Sequence, residues 1–204
     1  MKIRNGFVSN SSSSSFILKL PHYPESMDDL KRILLGDENP LVLTHYNNVA
    51  YPTDMVIEII YKDILEALKL NNSIESLIID EVEFSRYSMN RYDKMILSSF
   101  KGEYDLLKKE FVVTEKYFDD CWNDPEVCRL PENERFNYIN KCESEMNKVG
   151  NRMKGIIVKT IQETSNVTDI YTMVSYSDDD GSLMAYLEQG GILDPITVVR
   201  ISHH

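Results

Sequence analysis

Cysteine is scarce in this sequence. Cys121, Cys128 and Cys142 are the only three in 204 residues, too few and odd in number for a disulfide framework, which fits a reducing cytoplasmic compartment. Their spacing, with no histidine nearby, also lacks the pattern of a zinc site, so free and partly buried thiols are expected and no metal. Glycine and proline number only 8 and 7, which excludes collagen-like and low-complexity chains. No run approaches the roughly 18 consecutive apolar residues of a membrane helix. The polar stretch 9–15 stands where a secretory signal needs its apolar segment, so export is not expected. Positive charge is short as well: 22 Lys and Arg face 33 acids, for a net charge of −11. That balance repels phosphate backbones and anionic lipid, disfavouring nonspecific nucleic-acid binding and membrane association. There is no Gly-rich Walker or dinucleotide fingerprint, which argues against the usual nucleotide enzymes, and no cofactor is expected.

What is present describes one globular domain spanning residues 1–204, with 42% hydrophobic and 27% charged side chains. It divides into a Ser-rich leading segment and first strand (1–20), a mainly helical stretch (21–152) and a mainly β stretch (153–204). Phe16-Ile17-Leu18-Lys19-Leu20, stopped by Pro21, reads as a strand. Met27, Leu30, Ile33 and Leu34 are spaced helically before Gly36, a C-cap residue. After Pro52, with Thr53 as expected N-cap, Val56, Ile60, Ile64 and Leu68 repeat at i+4, while Glu58, Lys62 and Glu66 line another face. Residues 71–80 fit a short strand or a helix end equally. Helices are expected over about 90–111, where Gly102 invites a kink, over 114–122, and over 132–152. Residues 155–161 and 168–176, rich in Ile, Val, Thr and Tyr around Thr164-Ser165-Asn166, predict an antiparallel hairpin. A short helix (182–189) and a last strand (196–202) follow. The fold class is therefore α+β, an antiparallel sheet of the N-terminal and C-terminal strands packed on a helical middle.

The N-terminal run is the least ordinary part. Phe7-Val8 and Phe16-Ile17-Leu18 anchor it on both sides, so Ser9, Asn10, Ser11, Ser12 and Ser13 are expected to sit in a loop or irregular strand near the core. Their hydroxyls and amides suit a phosphate or carboxylate, and equally suit capping one another and nearby backbone. An exposed run would instead be a substrate for phosphorylation. The opening Ile3-Arg4-x-Gly6-Phe7, then Asn10-Ser11-Ser12-Ser13 and Phe16-Ile17, resembles that of short phage and bacterial proteins of unassigned function. The ending Arg200-Ile201-Ser202-His203-His204, after an Asp-Asp-Gly turn and Glu188-x-Gly190, is similar to theirs. The resemblance implies a phage or prophage origin and assigns no catalytic residue.

His203 and His204 lead straight out of the last strand. If the terminal strands are neighbours, they approach the serines, and with Asp178, Asp179 or Asp180 as orienter they supply the parts of nucleophilic catalysis, though no Gly-x-Ser-x-Gly elbow singles out a serine. Asp178-x-Asp180-Gly181 fails as a calcium loop, because Tyr176 and Leu187 fall where carboxylates are required; a helix-capping turn explains it. Tyr61, Tyr87, Tyr92, Tyr104, Tyr117 and Tyr138 fall on the charged helical stretch, where they serve protein recognition or straddle core and solvent. Asp119, Asp120, Asp124 and Glu126 are the acids to inspect for nucleic-acid mimicry. Two functions follow as expectations. One is a small acidic cytoplasmic phage-type accessory protein that binds a protein partner, such as a host or defence component. The other is a phosphate or nucleotide ligand site, binding or hydrolytic, built from the serines with His203 and His204. Neither fixes an oligomeric state.

Overall fold

The computed structural model describes residues 13–38, 40–44, 50–70, 72–85, 88–177, 182–189 and 191–203. They form two compact units, residues Met1–Ser73 with Asn166–His204, and residues Ile74–Ser165.

The first unit is built on strand β1 (Ser13–Leu20), flanked on both sides by antiparallel partners, β4 (Ile170–Ser177) and β5 (Thr197–His203), in the order β4-β1-β5. The N-terminal and C-terminal strands thus share one sheet. The pleat sends Phe16, Leu18 and Leu20 to one face, where they join Val56, Ile60 and Ile64 in a continuous apolar core. Those three come from α2 (Thr53–Leu68), which buries the side its i+4 repeat marks out and leaves Lys62 paired with Glu58 at 2.5 Å on another. Helix α1 (Met27–Leu35) starts at Ser26, whose hydroxyl accepts from the Asp29 amide, and ends at Gly36, where φ is 62°. A residue with a Cβ is strained there, so glycine is the fitting C-cap. A short ribbon, β2 (Val42–Thr44) and β3 (Ala50–Pro52), leads into α2.

Thr53 does not cap α2. It is the first helical residue, and its hydroxyl donates to the Pro40 carbonyl at 2.5 Å. Because β3 runs directly into the helix, the side chain is used to pin the incoming loop rather than the free helical amides.

The second unit is helical: α3 (Ile74–Glu81), α4 (Met89–Tyr92), α5 (Ser98–Asn123), α6 (Pro125–Cys128) and α7 (Glu132–Glu163). The stretch 71–80, which fits strand and helix equally in the sequence, is helix from Ile74. Two expectations are corrected. The helices expected over 90–111 and 114–122 are instead a short turn, α4, and a single α5 that runs unbroken through both stretches. The predicted hairpin does not form: Gly155–Ile161 belongs to α7, and β4 pairs with β1. Val149, Met153, Ile156, Ile157, Thr160 and Ile161 are all buried, at the i, i+4, i+7, i+8 spacing of one helical face. The β-branched run Ile156-Ile157-Val158 obscures that period locally. Helix α8 (Ser182–Gln189) returns to the first unit and packs beside β4.

Candidate functional site

Two places gather side chains with chemistry. The first is the serine end of the sheet. Strand structure begins at Ser13, so residues Ser13 to Ser15 are sheet, not loop. Ser13 is the register partner of Ser177 on one side and His203 on the other; Ser14 faces Tyr176 and Ser202; Ser15 faces Ser175 and Ile201. The Ser15 and Ser175 hydroxyls share a hydrogen bond of 2.8 Å. Ser14 is fully buried, and Arg200 Nη2 donates to its Oγ at 3.5 Å while the guanidinium lies 5.2 Å from the Phe16 ring centroid. Beside them, the buried Tyr176 hydroxyl makes no hydrogen bond of good geometry. It feels the Asp63 carboxyl of α2: burial, then that negative charge, pushes the phenol up. Burial also pushes Asp63 up, and the Tyr176 hydroxyl holds it partly back.

Of the expected site residues, Ser13 and His203 therefore share one register position. Ser9, Asn10, Ser11, Ser12 and His204, with the expected orienters Asp178, Asp179 and Asp180, lie outside the described residues. Ser14 and Ser15 are buried, so a kinase cannot reach them without extracting β1. Arg200, Tyr176 and Asp63 were not singled out by the sequence. Arg200 carries a signal in retrospect, as a lone cation between Val199 and Ile201 in a strand two places from Ser202. Asp63 carries none, because only the fold brings it to Tyr176.

The second place is the far end of the α5–α7 pair. The helices run antiparallel, with Cys121 against Cys142 and Glu110 bridged to Arg152 at 3.2 Å. At the end joined by α6, the Tyr117 and Tyr138 hydroxyls meet at 2.5 Å. That bond is the main reason the Tyr138 phenol is pushed up. Next to it, the Cys121 and Cys142 sulfurs lie 3.1 Å apart. The Cys121 thiol is pushed up to about 11, chiefly by burial and then by Cys142. Large apolar side chains nevertheless face water at this end: Tyr117 is 53% exposed, Trp122 57% and Phe136 63%. Trp122 stands edge-on to Phe118, with ring centroids 6.3 Å apart. The surrounding stretch 115–135 holds seven acids and three bases. Among the acids flagged above, Asp124 is engaged as the N-cap of α6, accepting from the Glu126 amide at 2.8 Å.

Tyr92 and Tyr104 are core residues, Tyr61 and Tyr138 are partly buried, and Tyr87 lies outside the described residues. Of the aromatics flagged in the sequence, only Tyr117 is both described and largely exposed. Trp122 and Phe136 went unremarked, although Phe136 is flanked on its helical face by Glu132, Asn133 and Asn140, the polar setting of an outward residue. Among the described residues, no cluster of three or more potential ligands suits a metal ion, and no helix is long and apolar enough to cross a membrane. No protein family, curated protein or solved structure matches the chain.

Proposed function

We propose that this chain works by binding a protein partner through the α6 end of the α5–α7 pair. The observation that carries the reading is the exposure of Trp122, Phe136 and Tyr117 amid an excess of acids. Large exposed apolar side chains on a polar rim are the usual makings of a recognition surface, and Trp and Tyr are the residue types that anchor such contacts. The partner it fits has apolar pockets rimmed by Lys and Arg, so that charge steers the encounter and the aromatics hold it. The resemblance of the two chain ends to phage proteins supports an accessory role directed at a host or defence component. The test is affinity capture from host-cell extract with the full chain, followed by titration of the purified captured protein. Trp122→Ala with Phe136→Ala is expected to weaken binding at least about tenfold, and raised salt to slow association. A captured protein that binds the double variant as tightly as the wild type overturns the reading.

A second reading rests on a separate observation, the register that sets Ser13 beside Ser177 and His203 and Ser15 beside Ser175, so that strand alternation puts these positions on one face of the sheet end. Hydroxyls and an imidazole-bearing position on one face suit a phosphorylated small ligand. Thermal denaturation with inorganic phosphate, nucleotides and sugar phosphates tests it. A ligand-dependent rise in melting temperature that His203→Ala abolishes supports the site. Equal shifts in the variant and the wild type refute it.

A further inference from the structure

The geometry points to a reversible disulfide site: Cys121 and Cys142 form a paired dithiol that takes a low-molecular-weight disulfide as oxidant and closes into a bond locking α5 to α7. The two sulfurs face each other across the helix pair at 3.1 Å, and both residues are buried, 3% and 4% exposed. A disulfide has an S–S length of about 2.05 Å, so the two sulfurs must approach by about 1 Å for the bond to close. The third thiol, Cys128, is exposed on α6 and directs its Sγ to the Trp122 carbonyl at 3.6 Å, so it is not a member of the pair.

The chemistry balances with a glutathione-type disulfide. One cysteine of the pair, as thiolate, attacks a sulfur of the small disulfide and expels one small thiolate, giving a mixed disulfide. The second cysteine then attacks the protein sulfur of that mixed disulfide and expels the other small thiolate. The two protons released by the cysteines go to the two leaving thiolates. The protein dithiol is oxidised by two electrons and the small disulfide is reduced by two. Burial of both thiols, and the high Cys121 proton affinity that accompanies it, make the exchange slow and dependent on local opening of the α6 end. The bond, once formed, closes the stretch 121–142, which carries Trp122 and Phe136, into a loop beside Tyr117.

The experiment uses the full chain carrying Cys128→Ser, which removes the exposed competing thiol. It is equilibrated with oxidised and reduced glutathione at a series of ratios, quenched in acid, alkylated under denaturing conditions and weighed intact. The expected result is a single step from two alkylated cysteines to none, with the loss of two hydrogens. Peptide mapping should place the bond between residues 121 and 142. The melting transition should rise by about 5–10 °C, as expected for closing a loop of this length, and reduction should reverse it. Adding Cys142→Ser should leave Cys121 without a partner, so that the step and the rise both vanish. Two cysteines still alkylated at oxidising ratios, or glutathione retained on one of them as a stable mixed disulfide, would overturn the proposal. So would a cross-link that forms only when the chain has first been unfolded in denaturant.

Discussion

Arg200 lays its guanidinium against the ring of Phe16, its register partner on the neighbouring strand, and from there reaches the hydroxyl of Ser14 two residues earlier. An exposed cation thus lies over the ring of a buried aromatic and donates to a buried hydroxyl in one placement. Removing it as Arg200→Ala should destabilise the sheet unit by about 1 kcal/mol, combining the stacking with the lost donor to Ser14. Urea unfolding followed by a probe of the sheet unit measures this. An unchanged midpoint would show that the stacked pair contributes nothing.

Asp63 supplies a pH test. Its raised proton affinity means that the folded state binds more protons than the unfolded chain between the ordinary aspartate pKa, about 4, and the raised value. Stability contributed by this group therefore falls as pH rises through that window, and the penalty is complete above it. Asp63→Asn is expected to be more stable than wild type at pH 7, by less than about 1 kcal/mol because the residue is only partly buried. The difference should disappear below about pH 4. Denaturant midpoints at the two pH values decide it, and a less stable variant at neutral pH would mean that the charged carboxylate is needed by Tyr176.

Gly102 lies inside α5, and a Cβ built there meets nothing within 4 Å. A helix-interior glycine carries an entropic cost without a packing reason at this position. Gly102→Ala is expected to raise the stability of the helical unit by about 0.5–1 kcal/mol. Calorimetry should show a higher melting temperature, and a lower one would place a contact at that face.

Lys154 of α7 donates to the Ile79 carbonyl at 2.8 Å, serving one of the acceptors left open in the last turn of α3. Burial pulls its proton affinity down, while Glu83, Asp80 and Glu81 pull it back. Lys154→Met keeps the aliphatic stem and removes the donor, and should cost about 1 kcal/mol. Hydrogen exchange at the end of α3 should accelerate in step, which distinguishes loss of this cap from a general loss of packing.

The elements that a reader of the sequence can find are those whose own pattern is complete. The end of α1 follows from Gly36 and its body from the spacing of Met27, Leu30, Ile33 and Leu34, and the buried face of α2 follows from its i+4 repeat. The strand at Phe16 follows from an apolar run ended by proline. The stretch 155–161 misleads because six of its seven residues, all but Lys159, are β-branched or small and match a strand locally, and only the longer period reaching back to Val149 reveals the helix. For the candidate sites, the serines and His203 were visible as residue types. Arg200, Tyr176 and Asp63 were not, since nothing in their local context ties them together.

The sequence by itself determined the acid excess, the shortage of thiols and the places where chain segments bury one face, because composition and period act locally. The tertiary structure alone decided that Ser13 pairs with His203, that Asp63 meets Tyr176 and that Cys121 meets Cys142. Each pair is far apart along the chain. Its meeting depends on how the sheet is ordered or how two helices are set side by side, which is fixed by the sum of many buried contacts and by no single stretch of residues.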